Sequence, residues 1–348
     1  MKMTDIAKKA GVSIATVSRV INNEKNVREA TREKVQEIIK EFEYTPSAIG
    51  RNLSKKETNI IAVIVPDISN PFFSEIVEGI TQKADENDLG MILFSTTESP
   101  EKQERALNMA LEQRVKGIII SVTRESYEDR SGQLEKLINK GIPVTLVDRD
   151  LKHSFLDGVF MDNIGGADKG VECLIKSGHR DIAIITGPAT SKPGRDRLLG
   201  YKRALAREEI EIRNENIYEG DFQMESGYQI GCEILKRKTR PSGIFICNNQ
   251  MTLGFIKAMN EMGCSTPKDI SVASFDRVEI LEYFGINLTT ISTSVRELGI
   301  KATEILLDRI SDNKEAVKAD EAKRVILSPK LEKRGSEEYI ERKNKEDI

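Results

Sequence analysis

The chain has 348 residues, 39% hydrophobic and 31% charged, which is enough apolar material for more than one core and excludes a disordered or fibrous polymer. Its net charge of −3 is unevenly divided, with 12 Lys/Arg against 8 Asp/Glu in residues 1–58 and 41 against 48 beyond, so a polyanion is attracted at one end only. No stretch approaches 18 uninterrupted apolar residues, and the start MKMTDIAKK has no apolar signal core, which predicts a soluble cytoplasmic protein with no membrane partner.

Residues 4–23, TDIAKKAGVSIATVSRVINN, predict two short helices joined by a tight turn. Asp5–Ala10 is the first, with Thr4 as N-cap and Gly11 closing it in the left-handed conformation. Ser13 caps a second helix, Ile14–Ile21. Ile6, Ala7, Ala10, Val17, Val20 and Ile21 supply the buried stripe. That leaves Ile14, Ala15, Thr16, Ser18 and Arg19 facing outward near the second N-terminus. Short side chains and one Arg at an amide-rich helix end fit a major groove; an ordinary helical hairpin is the plainer alternative. Thr31–Phe42 is a third amphipathic helix, with Val35, Ile38, Ile39 and Phe42 on one face. Pro46 and Ser47 could start a helix through Leu53, too short to persist alone; a flexible linker is the other reading.

After residue 58 the pattern changes. Strand-length apolar runs fall at 60–65, 90–95, 117–122, 144–147, 182–186, 243–247 and 271–274. Helical stretches alternate with them at 72–87, 101–113, 127–140, 165–177, 195–208, 227–236, 251–262 and 295–310. Continuous Val/Ile strands between amphipathic helices predict parallel sheets covered on both faces, in two sets. Such sheets take ligands at the carboxyl ends of their strands. Residues 335–348, nearly all polar, predict a frayed tail. Cys173, Cys232, Cys247 and Cys264 include no CxxC pair, and His153 and His179 are the only histidines, so neither a disulfide frame nor a metal site is expected. No GxSxG elbow, Walker loop or other catalytic signature is present.

The segments TDIAKKAGVS, TVSRVINN, TREKV, YTPSAIGRNL and IIAVIVPDISNPFF, in that order, resemble the lactose-repressor (LacI) family of bacterial transcription regulators, and the likeness continues to about Arg334. It implies an α/β protein with a small all-α helix-turn-helix domain (1–46) and a hinge helix or linker (47–58). A body (59–334) of two doubly wound α/β lobes of the periplasmic-binding-protein type follows, then the polar tail. The lobes would comprise about 59–161 plus 291–322, and about 162–290 plus 323–334. The implied function is sequence-specific repression of carbohydrate-use genes by a homodimer on operator DNA, with no enzyme activity and no cofactor. A small sugar, sugar acid or sugar phosphate in the cleft would control it. The alternative is a catabolite-control regulator whose effector is a phosphorylated carrier protein.

DNA contact is implied for Thr4, Ser13, Ile14, Ala15, Thr16, Ser18, Arg19, Asn22 and Thr31. Leu53 would wedge into the minor groove. In the cleft, Phe72, Phe73 and Phe222 would stack on the effector. Asn70, Asp148, Arg149, Arg195, Arg197, Asn248 and Asp276 would bond its polar groups, and Asp67, after the first strand, falls among the same pocket positions. Plainer roles compete: Asp276 could cap a turn, Arg197 could form a surface ion pair, and Phe72 could be packing. Asn249 stands where relatives usually carry Asp, and Thr293 where many carry Gln. Asp148-Arg149 with Asn70 and the paired Phe residues looks like pentose-type pockets, ribose among them; Lys192 and Arg195, with an acid lost at Asn249, could instead favour a sugar acid or phosphate, and the sequence leaves both open.

Overall fold

A computed structural model describes residues 3–21, 24, 26–42, 58–123, 132–152, 155–312 and 322–340. Asn22, Leu53, the rest of the hinge segment through residue 57, and His153 lie outside them. The chain divides into two compact units, Met1–Thr58 and Asn59–Ile348.

In the first unit, α1 (Met3–Ala10), α2 (Ile14–Ile21) and α3 (Glu29–Glu41) pack through Ile6, Ala7, Ala10, Val17, Val20 and Val35, all buried. Gly11 ends α1 at φ +68°, a conformation cheap only for a residue without Cβ. The Ser13 hydroxyl accepts the Thr16 N–H at 3.1 Å, the expected cap of α2. Two details differ from expectation. Helix α1 already begins at Met3, so Thr4 sits exposed in its first turn and is not its cap. Phe42 lies just past α3, off its buried stripe, and is exposed with the Lys9 ammonium 3.4 Å from its ring centre.

The second unit runs β1 (Ile60–Val65), α4 (Pro71–Asp85), β2 (Gly90–Ser95), α5 (Pro100–Glu112), β3 (Gly117–Ile120), α6 (Gln133–Ile138), β4 (Val144–Val147) and β5 (Asp157–Met161). It continues with α7 (Asn163–Lys176), β6 (Ile182–Thr186), α8 (Lys192–Arg207), β7 (Ile217–Glu219), α9 (Met224–Lys236), β8 (Gly243–Ile246), α10 (Asn249–Glu261), β9 (Ser271–Phe275) and α11 (Glu279–Glu282). Last come β10 (Thr289–Ser292), α12 (Val295–Asp312), β11 (Arg324–Leu327) and β12 (Lys330–Glu332). The strands form two sheets, ordered β11-β5-β4-β3-β1-β2 and β12-β10-β9-β8-β6-β7, parallel except for β12. Inner strands such as GIII and VTLV are buried at every residue, as a sheet covered on both faces requires.

Two close helix crossings place the strand-end loops. A Cβ on Gly254 of α10 would come within 1.9 Å of the Met224 carbonyl of α9, and one on Gly79 of α4 within 2.1 Å of the Arg296 carbonyl of α12. Only bare backbone allows these approaches. They set the N-termini of α4, α9 and α10, whose N-caps are Asn70, Gln223 and Asn248.

The lobe boundaries differ from the expected ones. Thr289–Ser292 completes β10 of the second sheet, whereas Arg324–Leu327, expected in the second lobe, is an edge strand of the first. Nor is the start of the C-terminal segment frayed. Ser336 and Glu337 are buried; the Ser336 hydroxyl accepts the Thr289 N–H and donates to the Val272 carbonyl, while Glu337 accepts from Gly335 N–H. The His179 ring bonds the Glu337 carbonyl at 3.1 Å and meets Tyr339 edge-on. Polar side chains dock this segment through hydrogen bonds, which composition does not reveal.

Candidate functional site

The outer face of α2 presents the expected residues. Ile14 is 49% exposed, with Ala15 and Arg19 exposed beside it and Thr16 and Ser18 half-buried. Ser13 and Thr16 bond one another at 2.9 Å, fixing the first turn. Arg19 has its Nε 3.9 Å from a Glu24 oxygen, an exposed pair that is weak in water. Glu24, past the end of α2, is tied to α3 by Arg32, which donates to its carbonyl at 2.6 Å. Thr31 is half-buried in the first turn of α3.

In the second unit a cleft of about 490 Å³, its mouth included, lies where strand ends of both lobes converge. The first lobe supplies Asp67, Asn70, Phe72, Phe73, Glu98, Asp148 and Arg149; the second supplies Pro193, Arg197, Phe222, Gln223, Asn248, Asn249 and Asp276. Every expected effector residue but one is present. Arg195 is turned away, donating to the carbonyls of Ala189 and Thr190 at 2.8 and 3.3 Å. Glu98, Pro193, Gln223 and Asn249 line the cleft in addition.

Local structure explains how each side chain reaches the cleft. Asn70 is the N-cap of α4 and accepts the Phe72 N–H at 3.0 Å; Asn248 is the N-cap of α10 and accepts Met251 N–H at 3.0 Å while donating to the Phe222 carbonyl at 2.9 Å. Asn249 crosses from one lobe to the other, donating to Asn70 Oδ1 at 2.9 Å. Phe72 and Phe73 stand edge to face at 5.2 Å. Asp148, Phe222 and Asp276 all hold left-handed backbone, with φ of 65°, 68° and 68°. Such strain persists only where the surroundings enforce it. Asp148 directly follows β4 and Asp276 directly follows β9, so the two acids occupy equivalent places in the two lobes.

The charges are crowded. Arg149 forks onto Glu98 at 2.8 and 2.9 Å and stands 3.7 Å from Asp148. Arg197 donates to Asn163 Oδ1 at 2.8 Å and to the Cys247 carbonyl, with Asp276 at 4.0 Å. Burial pushes the Asp276 carboxyl up to about 6, against the pull of Arg197 and with repulsion from Asp148 and Glu75. Burial also raises Asp148, opposed by Arg149 and Arg197 and reinforced by Glu98. Burial likewise pushes the Cys247 thiol up to about 12, which keeps it protonated. Among the described residues, no group of three or more His, Cys, Asp and Glu could hold a metal ion, and no helix is long and apolar enough to cross a membrane.

A helix-turn-helix with an open reading face, joined in one chain to a two-lobed body with a polar and aromatic cleft, defines a DNA-binding regulator with a small-molecule site. Residues 2–47 match the bacterial regulatory proteins of the lacI family, and residues 171–337 match the periplasmic binding protein-like domain. The HTH-type transcriptional repressor PurR of Edwardsiella ictaluri is 36% identical over 95% of this chain and 95% of that protein. The lac repressor dimer bound to operator and the anti-inducer ONPF superposes with a TM-score of 0.84 at 29% identity, over 97% of this chain and 99% of that one. A LacI family regulator from Enterococcus faecium with bound ribose superposes with a TM-score of 0.70 at 28% identity, over 81% of this chain and all of that one, 100%. The chain belongs to the lacI family of bacterial regulatory proteins and is a DNA-binding transcriptional regulator.

Proposed function

We propose that the protein is a cytoplasmic, non-enzymatic repressor of carbohydrate-use genes, acting as a homodimer on a near-palindromic operator and controlled by a small sugar in the cleft. Two equal subunits impose two-fold symmetry on the DNA they read. Arg19 bonds guanine edges, while Ile14, Ala15 and Thr16 add apolar and hydroxyl contacts to bases. Thr4, Ser13, Ser18, Asn22 and Thr31 supply polar contacts to backbone and bases, and Leu53 is assigned the minor-groove wedge. Ligand in the cleft alters DNA affinity by favouring one lobe arrangement over the other, which requires it to bind the two unequally.

The observation that carries the effector reading is the cleft lining. Aromatic rings and amide or carboxylate groups converge there from both lobes, with Asn249 bonded to Asn70 across the gap. Flat apolar surface with converging hydrogen-bonding groups is what a sugar ring requires. A lining so complete favours a small molecule over a phosphorylated carrier protein, which would need an exposed surface instead. The bound ribose of the E. faecium relative and the operator-bound lac repressor dimer support sugar and DNA as partners. The test is selection of a binding site from random duplexes, followed by footprinting at physiological salt with and without a panel of sugars. A protected palindrome whose occupancy responds to one sugar is expected; no sequence preference would refute the regulator, and no response to any sugar would refute the effector.

A further inference from the structure

Glu98 lies in the turn between β2 and α5, where Thr97 and Glu98 both hold left-handed backbone at φ 48° and 61°. Two consecutive non-glycine residues in that region are strained unless neighbours hold them. The turn delivers the Glu98 carboxylate onto Arg149 in a bidentate pair, the strongest geometry such groups form. Arg149 gives a further donor to the Val122 carbonyl at 3.1 Å. Arg197 is engaged as fully, by Asn163, by the Cys247 carbonyl and by the Phe275 ring 3.8 Å away. Among the described residues, four carboxylates (Asp67, Glu98, Asp148 and Asp276) line the cleft against two occupied guanidinium groups.

Among the described residues, the two other cations of the neighbouring α8 start are engaged elsewhere: Lys192 pairs with Asp196, and Arg195 with backbone carbonyls. Asp148 and Asp276 are in the opposite situation. They are 6% and 8% exposed, and their nearest cations among the described residues stand at 3.7 and 4.0 Å, too far for a hydrogen bond. What the charged groups of the cleft offer a ligand is therefore acceptors. A hydroxyl can donate to them; an anionic group would meet an excess of like charge where water screens little.

We propose that Glu98 sets the charge class of the effector: by neutralising Arg149 it fits the cleft to uncharged polyols, whose hydroxyls donate to Asp148 and Asp276, and closes it to sugar acids and sugar phosphates. This rests on the cleft being the effector site. The test uses the full-length protein and isothermal titration with D-ribose and other neutral pentoses and hexoses, each matched to its aldonate and its phosphate. Wild type should bind a neutral sugar at least about tenfold more tightly than its anionic partners, about 1.4 kcal/mol. Glu98→Gln, which keeps the shape and removes the charge, should cut that ratio at least about tenfold by improving the anion. Adding Arg149→Met to Glu98→Gln should abolish the gain, which a merely structural role for Glu98 would not predict.

Anions bound by wild type as tightly as neutral sugars would overturn the proposal, and so would a ratio that Glu98→Gln leaves unchanged. Binding of neither class would overturn it too; intact operator footprints in the same preparation would confine that failure to the effector, whereas their loss would indict the regulator itself. If Glu98→Gln failed to fold, the wild-type ratio alone would still decide the charge class.

Discussion

Replacing Asp276 by Asn should stabilise the body at neutral pH and do little in acid, at the expense of the ligand. Asp276 is 8% exposed, and burial raises its carboxyl from 3.8 to about 6 even with Arg197 nearby. Between those values the folded chain holds a proton that the unfolded chain has released, so stability falls as pH rises and the loss is complete above the folded value. With the carboxyl at about 6, the penalty is under about 1 kcal/mol at pH 4, between about 1 and 2 at pH 5 and about 3 at pH 7.5. An amide of the same size removes it, and Arg197 keeps its bonds to Asn163 and the Cys247 carbonyl. Urea-unfolding midpoints of the two proteins at pH 5 and pH 7.5 measure the difference. The variant's advantage should roughly double between them, while its affinity for a neutral sugar drops. A variant less stable than wild type at pH 7.5, or an advantage independent of pH, would refute the reasoning that burial, and not structural bonding, dominates this carboxylate.

Gly254→Ala sets a methyl group about 1.9 Å from the Met224 carbonyl, so α10 and α9 must separate; a loss of about 1–3 kcal/mol in denaturant stability is expected. Because Asn248 and Asn249 stand at the start of α10, sugar affinity should weaken in the same variant. Asn249→Asp puts an acceptor opposite Asn70 Oδ1, which already receives the Phe72 N–H; the cross-lobe bond is lost, worth about 1 kcal/mol, and X-ray scattering of the ligand-free protein should show a larger radius of gyration. Arg19→Ala should cost about 1–3 kcal/mol in operator binding and relax preference at a single base position per half-site, read by competition footprinting. A uniform loss across all sequences would instead make Arg19 a phosphate contact.

How far the sequence could be read follows from where the information sits. Inner strands announce themselves because burial on both faces forces an unbroken Val/Ile run, and the ends of those runs locate Asp148 and Asp276 without any structure. Strand β5, DGVFM, escapes the same test since its first residue is an acid: Asp157 is buried in a bidentate pair with Arg309, and a charge in a short run looks like a loop. The edge strand Arg324–Leu327 escapes for another reason. Two of its residues are exposed, and its partner strand lies more than 160 positions away, so only the closed sheet says which lobe it joins. Arg195 was separable from Arg197 by helix geometry alone: two residues apart they point roughly 200° away from each other, so both could not face the cleft. Glu98 is the opposite case. Nothing in TTES has a period, and its place over Arg149 depends on two left-handed residues in succession, which no propensity favours. The residues that frame the cleft were thus written in pattern, while the one assigned to choose among ligands is held by strain, and strain is a property of the assembled neighbours and not of the letters.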